Sequence, residues 1–383
     1  MNPSRLSPAA SRGLRAGLVF LAVVLAAWQR DRAVRHLPVD FDELSYLPAA
    51  YLYVARMDSG PWTDLAEVTY NFEHPPMVKL AYAVVLRAEG TPEPDWKAMK
   101  IGSPPPAEAR AVFTTGRWTS ALPGVGQVAV AALVHPLAGL LLALESYHAK
   151  YTAQAYLEAI PGLLLALAIL LFEAATRGRD GSPRPDPDPR RAAAAFALLG
   201  AAAAGKYPYG GVGVLALFPL AILAFPRRPG VWLALAAASL VAFLALDPWL
   251  WRDGFHRAWE SVAYHLSYPA SENVRRANLP WYMQLVWLFR AAPTRWHPGV
   301  FPLGAVTVTI LPLAIVGLPV AARRRPAFAT SACVGLAFLL AWPVKWPQYL
   351  MLVLVPLTVC AAHAPAALAR AAERLSARRA AAA

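Results

Sequence analysis

Long apolar runs recur along the whole chain, and they constrain its fold more than any other feature of the sequence. A helix needs about 20 predominantly apolar residues to cross the hydrocarbon core of a bilayer. Hydrophobic residues make up 57% of the 383 residues and charged residues 15%, against roughly 25% charged residues in soluble domains. The sequence therefore predicts an all-α integral membrane protein and excludes a soluble enzyme or a disordered chain. The apolar runs are 14–28, 120–134, 136–144, 156–172, 192–204, 211–225, 231–246, 301–320, 328–342 and 349–362.

The positive charges fall in short clusters between these runs, which is typical of the cytoplasmic loops of a membrane protein. We therefore do not interpret the net charge of +13 as a sign of nucleic-acid binding. Placing every cluster on the cytoplasmic side requires about ten crossings, with the short run 75–86 re-entrant or juxtamembrane; if that run does cross, another short run such as 136–144 does not. The clusters are 177–191, 227–228, 323–325 and 370–379.

This topology predicts one polytopic domain over 1–365 and a cytoplasmic Ala/Arg-rich tail over 366–383. The run 14–28 is interpreted as an uncleaved signal anchor. Outer loops are expected at 30–117 and 247–299, and outer turns at 145–154, at Lys206 and at 343–348. The first outer loop is acidic over 39–75, which fits a non-cytoplasmic side, and its stretch 44–57 has the aromatic, amphipathic pattern of a helix lying at the membrane interface.

Two polar motifs in the first outer loop carry a resemblance to a known family. Asp42-Glu43 precedes Glu73-His74-Pro75-Pro76 by about thirty residues, and this order resembles the GT-C glycosyltransferases. The pattern is most similar to the protein O-mannosyltransferase family and its bacterial relatives, the lipid A aminoarabinose transferases. Three later motifs follow in the family's order, namely Arg117 to Gly124 at the entry to a span, Gly205-Lys206-Tyr207-Pro208, and Lys345 to Tyr349.

The resemblance implies a GT-C bundle of about ten transmembrane helices with juxtamembrane helices in the large first outer loop. It also implies an inverting enzyme that transfers a hexosyl group from a polyprenyl-phosphate sugar to a protein, lipid or glycan acceptor on the outer face of the membrane. The expected surroundings are membrane lipids, in a bacterial inner membrane with the active site on the periplasmic side. No nucleic-acid partner is expected.

The residue types fit this chemistry. An acceptor hydroxyl needs a general base, and by motif position that base is Asp42, with Glu43, Glu73 and His74 beside it. The leaving phosphate gains negative charge and needs fixed cations or hydrogen-bond donors. The candidates for this second role lie on predicted outer segments and are Lys206, His265, Arg275, Arg276 and Lys345.

One departure from the family pattern concerns a second aspartate, which is expected after the third span near Gln154 or Ala155. Either Glu158 substitutes for it, or the protein works with one carboxylate. His74 with Glu73 and Asp42 could also hold a divalent metal, because imidazole and carboxylate groups form such sites. Their spacing is not tight, and we assign no metal ligand and no certain cofactor from the sequence.

Structural alternatives remain open for each candidate. Asp42 could be the N-cap of a helix starting at Glu43, Lys206 could extend its ammonium to the membrane interface, and the pair Arg275 and Arg276 could be solvated. Two other function classes also remain: a transporter or flippase for a lipid-linked solute, and a non-catalytic binder of polyprenyl phosphate. Transporters typically carry ionisable groups in the middle of their spans or an internal repeat, and neither is clear in this sequence.

Overall fold

The computed structural model describes residues 8–178, 181–292 and 299–382, and the described residues form helices and connections without a β-strand. Six residues of the predicted second outer loop, 293–298, lie outside this description. The α-helices in chain order are α1 Pro8–His36, α2 Glu43–Ser59, α3 Met77–Ala88, α4 Arg110–Val134, α5 Pro136–Leu144, α6 Ser146–Ala153, α7 Ala159–Thr176, α8 Pro189–Gly205, α9 Tyr207–Ala224, α10 Pro229–Leu246, α11 Gly254–Ser267, α12 Glu272–Ala277, α13 Met283–Leu288, α14 Thr307–Arg324, α15 Pro326–Ala341, α16 Met351–Ala362 and α17 Ala364–Ala382.

Six helical stretches of the described chain are long and apolar enough to cross a membrane, which agrees with the prediction of an integral membrane protein. They do not confirm the predicted number of about ten crossings, because several other bundle helices are too short or too mixed in composition to count by themselves. The six stretches are Ala10–His36, Ala159–Thr176, Tyr207–Ala224, Pro229–Leu246, Gly304–Arg324 and Pro347–Ala381.

Helices α5 and α6 both pack against α1, α4 and α16. The sequence prediction of an outer turn over 145–154 is therefore wrong, because this stretch contains a buried helix. Its polar side chains give it a low hydropathy, but several of them have hydrogen-bond partners on neighbouring helices. Arg30 donates to the Thr152 hydroxyl at 2.9 Å and also contacts the ring of His148, whose other ring nitrogen lies 3.0 Å from Gln127 Oε1.

Small residues allow the bundle helices to approach closely. A Cβ at Gly200 of α8 would overlap the carbonyl oxygen of Ser239 in α10, and a Cβ at Gly317 of α14 would overlap that of Cys360 in α16. Close backbone approach through glycine is a common way to gain van der Waals contact between membrane helices, where the hydrophobic effect gives little driving force. These contacts tie α10 and α14 into the bundle.

The first outer loop packs as a small unit on one end of the bundle. Helix α2 is confirmed where the sequence predicted an amphipathic helix, and one face of it is buried through Tyr46, Leu47 and Ala50. Helix α3 has 12 residues, about 18 Å of helix, which is too short to cross a bilayer core of about 30 Å. This length supports the prediction that the run 75–86 does not cross.

Candidate active site

A cavity of about 510 Å³ opens where several helix ends meet the first outer loop. It lies between the α1–α2 connection, the α8–α9 turn, α11 and the α15–α16 connection. The opposite ends of α7, α9, α14 and α15 adjoin the arginine clusters at 177–191, 227–228 and 323–325, so the cavity is at the end predicted to be outer. The ionisable lining residues are Asp42, Glu73, His74, Lys206 and His265, and the aromatic ones include Tyr46, Tyr207, Tyr264, Tyr268, Trp342, Trp346 and Tyr349.

Asp42 occupies the N-cap position of α2 but does not cap the helix with its side chain. Its backbone is already helical, with φ −69° and ψ −30°, and no side-chain cap bond forms. The carboxylate instead lines the cavity, where Gln348 Nε2 donates to Oδ2 at 3.3 Å. Burial, and then the negative charge of Glu158, raises the pKa of Asp42 to about 7. A carboxyl group with that pKa can exchange a proton near neutral pH.

Glu43, the next residue, points into the protein and does not line the cavity. Arg117 Nε and Nη2 donate to its two carboxylate oxygens at 2.8 Å each, and both side chains are almost fully buried. The amides of Asp40 and Ala155 donate to the same carboxylate, at 3.0 and 3.1 Å. Glu43 therefore fixes the loop that carries Asp42, and we correct the expectation that it contacts the reacting groups itself.

Lys206 lines the cavity between α8 and α9, and its ammonium forms an ion pair with Glu158. It is buried, so the alternative that it extends to the membrane interface does not describe its position. Glu158 does not line the cavity, and its carboxylate instead positions the ammonium of Lys206 through this ion pair. The ammonium also lies 5.2 Å from the centre of the Tyr349 ring.

Helix α9 begins immediately after Lys206, and its first residues, Tyr207, Pro208 and Tyr209, line the cavity beside it. A helix N-terminus carries a partial positive charge and is suited to bind an anion. Tyr209, in the first turn of α9, lines the cavity and is buried, and its hydroxyl makes no hydrogen bond. An unpaired buried hydroxyl is unfavourable, so this group has a hydrogen bond to offer a ligand.

Glu73 and His74 lie on a tight turn that Lys79 holds in place. Asn71 has a left-handed backbone with φ 57°, which asparagine tolerates better than most residues. Lys79 Nζ donates to the carbonyl oxygens of Asn71 and His74 at 2.6 and 2.8 Å. Asn71 Nδ2 donates to Glu73 Oε1 at 2.7 Å. These hydrogen bonds fix the conformation of the turn, and both Glu73 and His74 line the cavity.

His74 and His265 face each other across the cavity wall, with ring centres 5.9 Å apart. His265 Nε2 donates to the carbonyl oxygen of Glu73 at 2.9 Å, which joins α11 to the turn. Burial, and then the positive charge of Lys206, keeps the pKa of His74 well below its usual value. Burial lowers the pKa of His265 as well. Both rings are therefore neutral at physiological pH and act as hydrogen-bonding groups.

Three cations predicted to hold phosphate lie outside the cavity lining. Arg275 and Arg276 are exposed on α12, and Arg276 pairs with Glu272 of its own helix at 2.5 Å. Lys345 is buried, and its ammonium donates to the carbonyl oxygens of Leu339 and Leu340 at 2.6 and 3.0 Å. Lys345 therefore satisfies the last carbonyls of α15, and the geometry gives these three residues no contact with a ligand in the cavity.

A second carboxylate, which was not among the candidates predicted from the sequence, lies near Asp42. Asp40 accepts hydrogen bonds from Lys150 Nζ at 2.8 Å and from the Tyr156 hydroxyl at 2.6 Å. Burial alone would raise the pKa of Asp40, but the charge and hydrogen bond of Lys150 hold it below its usual value. The partner Lys150 lies on α6, which the sequence predicted to be a turn, so this ion pair could not be assigned from the sequence. Asp40 itself does not line the cavity.

No group of three or more His, Cys, Asp or Glu side chains in the described part of the chain is arranged to hold a metal ion. Glu73, His74 and Asp42, the set considered from the sequence, line the same cavity but do not converge on one point. These three residues therefore do not form a ligand set for the divalent metal considered from the sequence.

Comparisons with known proteins identify the fold. No protein-family model matches the sequence, and no curated protein sequence matches it. Among solved structures the chain is similar to ArnT from Cupriavidus metallidurans in the apo state, with a TM-score of 0.52 and 18% identity, over 93% of this chain and 60% of that chain. ArnT bound to undecaprenyl phosphate gives a TM-score of 0.51 and 19% identity with the same coverage.

A third similar structure is the S. cerevisiae protein O-mannosyltransferase Pmt1-Pmt2 complex bound to the sugar donor. It gives a TM-score of 0.43 and 20% identity, over 64% of this chain and 34% of that chain, which is too low to argue from. The ArnT matches confirm the expected GT-C type of membrane fold. This chain spans 60% of the length of ArnT, so the likeness is one of fold.

Proposed function

We propose that the protein is a membrane glycosyltransferase that uses a polyprenyl-phosphate sugar as its donor. The transferred group would be a hexosyl residue and the acceptor a hydroxyl presented at the outer face of the membrane. The observation that carries the proposal is the presence of a carboxylate with a pKa near 7 and a buried ammonium, Asp42 and Lys206, in the wall of one cavity. The likeness in fold to a structure of ArnT bound to undecaprenyl phosphate supports the donor class.

The reaction needs a base and a stabilised leaving group, and the cavity offers both. Asp42 would accept the proton of the acceptor hydroxyl while the oxygen of that hydroxyl bonds to the anomeric carbon of the sugar. The bond from that carbon to the donor phosphate breaks, and its electron pair stays on the phosphate oxygen. Attack from the face opposite the phosphate inverts the anomeric centre. Gln348 would orient Asp42 through its hydrogen bond to Oδ2.

The phosphate would bind at the end of the cavity formed by Lys206 and the first turn of α9. The ammonium of Lys206 supplies a full positive charge, and the helix N-terminus adds a partial one. The free hydroxyl of Tyr209 would donate a further hydrogen bond. Because these groups are fixed before the donor arrives, they need no rearrangement when negative charge develops on the leaving phosphate.

The aromatic wall suits the remainder of the donor. Tyr264 and Tyr268 stack with ring centres 5.7 Å apart, and Phe338 and Trp342 stack at 5.2 Å. Phe338, Leu339 and Leu352 line the part of the cavity contributed by the membrane helices α15 and α16. An apolar lining of this kind would accommodate the first isoprene units, while the polar end holds phosphate and sugar.

The proposal is tested by incubating purified protein with radiolabelled polyprenyl-phosphate hexoses and a membrane extract as acceptor. Wild type is compared with Asp42→Asn and with Asp58→Asn, because Asp58 is an exposed carboxylate of the same loop that pairs with Arg87. Label is expected to leave the carrier with wild type and Asp58→Asn. With Asp42→Asn, transfer is expected to fall by about 10²- to 10⁴-fold, the usual contribution of a general base.

The possible outcomes separate the competing functions. Equal transfer by wild type and Asp42→Asn would remove Asp42 from the mechanism. Saturable binding of undecaprenyl phosphate without transfer from any donor would favour the non-catalytic binder. Movement of labelled lipid between leaflets of reconstituted vesicles, again without transfer, would favour the flippase.

A further inference from the structure

Helix α11 has three faces of different chemistry, and the cavity wall uses only one of them. Successive residues of an α-helix are separated by about 100° around its axis. Placed around the axis of α11 at this spacing, the side chains form one face that is buried against the protein, one that is apolar and exposed, and one that is polar. The three faces are spaced at roughly equal angles around the helix.

The first face packs on the protein and includes residues of the proposed active site. Tyr264 and His265 line the cavity, and Ser261 is buried. Arg257 donates to the carbonyl oxygens of Ala66 and Trp249 at 2.7 and 2.9 Å. These contacts hold α11 against the first outer loop and fix its rotation about its own axis.

The second face is an exposed apolar stripe formed by Phe255, Trp259, Val262 and Leu266. The exposed fractions of these residues are 92%, 59%, 47% and 72%. Their positions i, i+4, i+7 and i+11 fall within an arc of roughly 60°. No described residue covers this stripe. Large apolar residues so exposed and so aligned are typical of a surface that is covered by a partner or by lipid.

The third face carries polar side chains. His256 and Glu260 lie on it four residues apart, with Nε2 and Oε1 separated by 3.3 Å, and Ser267 follows. A helix with protein on one side, a polar face on the second and large apolar side chains on the third has the pattern of a helix that lies flat in a membrane interface.

We propose that the stripe Phe255–Trp259–Val262–Leu266 docks into the outer leaflet of the membrane. Continuity with the lipid-facing surface argues for lipid as the occupant. Helix α10, which ends at Leu246, packs on α8 with one side and exposes large apolar side chains on the other, at positions 233, 240, 241, 244 and 246. Only a short connection with the exposed Trp251 separates it from α11. The exposed apolar side of the span is therefore followed along the chain by Trp251 and then by the stripe, and tryptophan is favoured at the membrane interface.

This docking has a consequence for the cavity. The helix that enters the leaflet with one face forms the wall of the cavity with another, through Tyr264 and His265. The depth of α11 in the leaflet therefore sets the depth at which the cavity opens. An amphiphile with a polar headgroup in the interface can reach such an opening without leaving the membrane.

The test uses spin labels on single cysteines in the full chain, in nanodiscs of phosphatidylcholine and phosphatidylglycerol, with Cys333 and Cys360 replaced by alanine. Phe255→Cys and Leu266→Cys report on the stripe. His256→Cys and Ser267→Cys are matched controls on the polar face of the same helix. Collision of each label with oxygen, which concentrates in the bilayer, is compared with collision with a water-soluble nickel chelate.

The stripe labels are expected to collide with oxygen at least threefold more, and with the nickel chelate at least threefold less, than the polar-face labels. Equal access of nickel to both pairs would overturn the proposal, because the stripe would then face water. Stripe labels shielded from both reagents would also overturn it and would indicate a protein partner, such as a second copy of the chain. Neither readout depends on transferase activity.

Discussion

Arg117 and Glu43 form a two-point ion pair inside the protein, with Nε and Nη2 of the arginine each 2.8 Å from a carboxylate oxygen of the glutamate. The same guanidinium donates to the carbonyl oxygens of Val34 and Leu37, at 3.0 and 2.8 Å. The pair therefore joins the end of α1, the start of α2 and the first third of α4. It also fixes the direction of Asp42, because that residue is next to Glu43 in the chain.

Removal of Arg117 should destabilise the protein strongly. Arg117→Met leaves the Glu43 carboxylate buried without its cation, and breaking a buried pair in this way costs about 3–5 kcal/mol. Thermal unfolding in detergent measures the loss. Arg87→Met is the control, since its partner Asp58 is exposed and such pairs contribute under about 1 kcal/mol. The double variant Arg117→Met/Glu43→Gln should recover part of the stability; equal stability of wild type and Arg117→Met would contradict this account.

The rate of transfer should rise with pH around neutrality. Asp42 acts as a base only when it is deprotonated, and its pKa is raised to about 7. The value of kcat/KM should therefore be low at pH 5.5, rise through pH 7 and level off above it. Steady-state rates over this range give the midpoint. A midpoint near 4, the ordinary value for an aspartate, would show that another group is titrating.

Glu158→Gln gives a second test of the same pKa. The negative charge of Glu158 raises the pKa of Asp42, and Lys206, its ion-pair partner, lowers it. Neutralising Glu158 removes the first effect and leaves the second without compensation, so the midpoint of the pH profile should move to lower pH. An upward movement would mean that Glu158 does not act on Asp42 through its charge.

Tyr209→Phe should affect stability and ligand binding in opposite directions. The variant removes a buried hydroxyl that has no hydrogen bond, so the ligand-free protein should gain about 1 kcal/mol. Binding of undecaprenyl phosphate should weaken by roughly tenfold, because a hydrogen bond to a charged group is lost. Tyr51→Phe is the matched control: its hydroxyl donates to Thr91 and Pro92 away from the cavity. Stability should fall in that variant while binding is unchanged.

Charge removal at two places should separate the cations that hold phosphate from those that do not. The double variant Lys206→Gln/Glu158→Gln removes the cavity cation without leaving its partner charged, and binding of undecaprenyl phosphate should fall by more than about tenfold. Arg275→Gln/Arg276→Gln removes two exposed charges outside the cavity and should change binding by less than about twofold. The reverse order of effects, measured by titration in detergent, would move the phosphate site to α12.

The sequence predicted which residues would lie around one cavity better than it predicted the partners of their side chains. Asp42, Glu73, His74, Lys206 and His265 line one cavity because each lies in a segment that connects bundle helices at the same end. Such segments can be predicted from the positions of apolar runs and charge clusters. These patterns do not predict whether a cation faces a cavity or donates to the last carbonyls of a helix. Lys345, which was predicted to bind phosphate, donates to the carbonyls at the end of α15. Tyr209 was missed because a buried tyrosine has no signal in the sequence when its hydroxyl is unpaired.

Helix α6 shows a second limit. Its eight residues include His148 and Lys150, and hydropathy alone places such a stretch in water. In the structure these two side chains have partners from other parts of the fold, Gln127 of α4 for His148 and Asp40 of the α1–α2 connection for Lys150. Hydrogen bonds and ion pairs of this kind depend on tertiary contacts, which the sequence does not show. For this reason the sequence predicted a turn where the bundle has a buried helix.

The break between α5 and α6 has a consequence for the biogenesis of the protein. Nine apolar residues followed by a polar helix do not give a segment that a translocon would release into lipid unaided, because a lysine such as Lys150 costs up to about 2.5–3.5 kcal/mol on insertion. Helix α7, with a mean hydropathy of 2.1, is an efficient insertion signal. We therefore expect α5 and α6 to be held at the translocon until α7 emerges, and to enter the bilayer with it as a hairpin whose polar groups meet Arg30 and Asp40 on α1 and the loop after it.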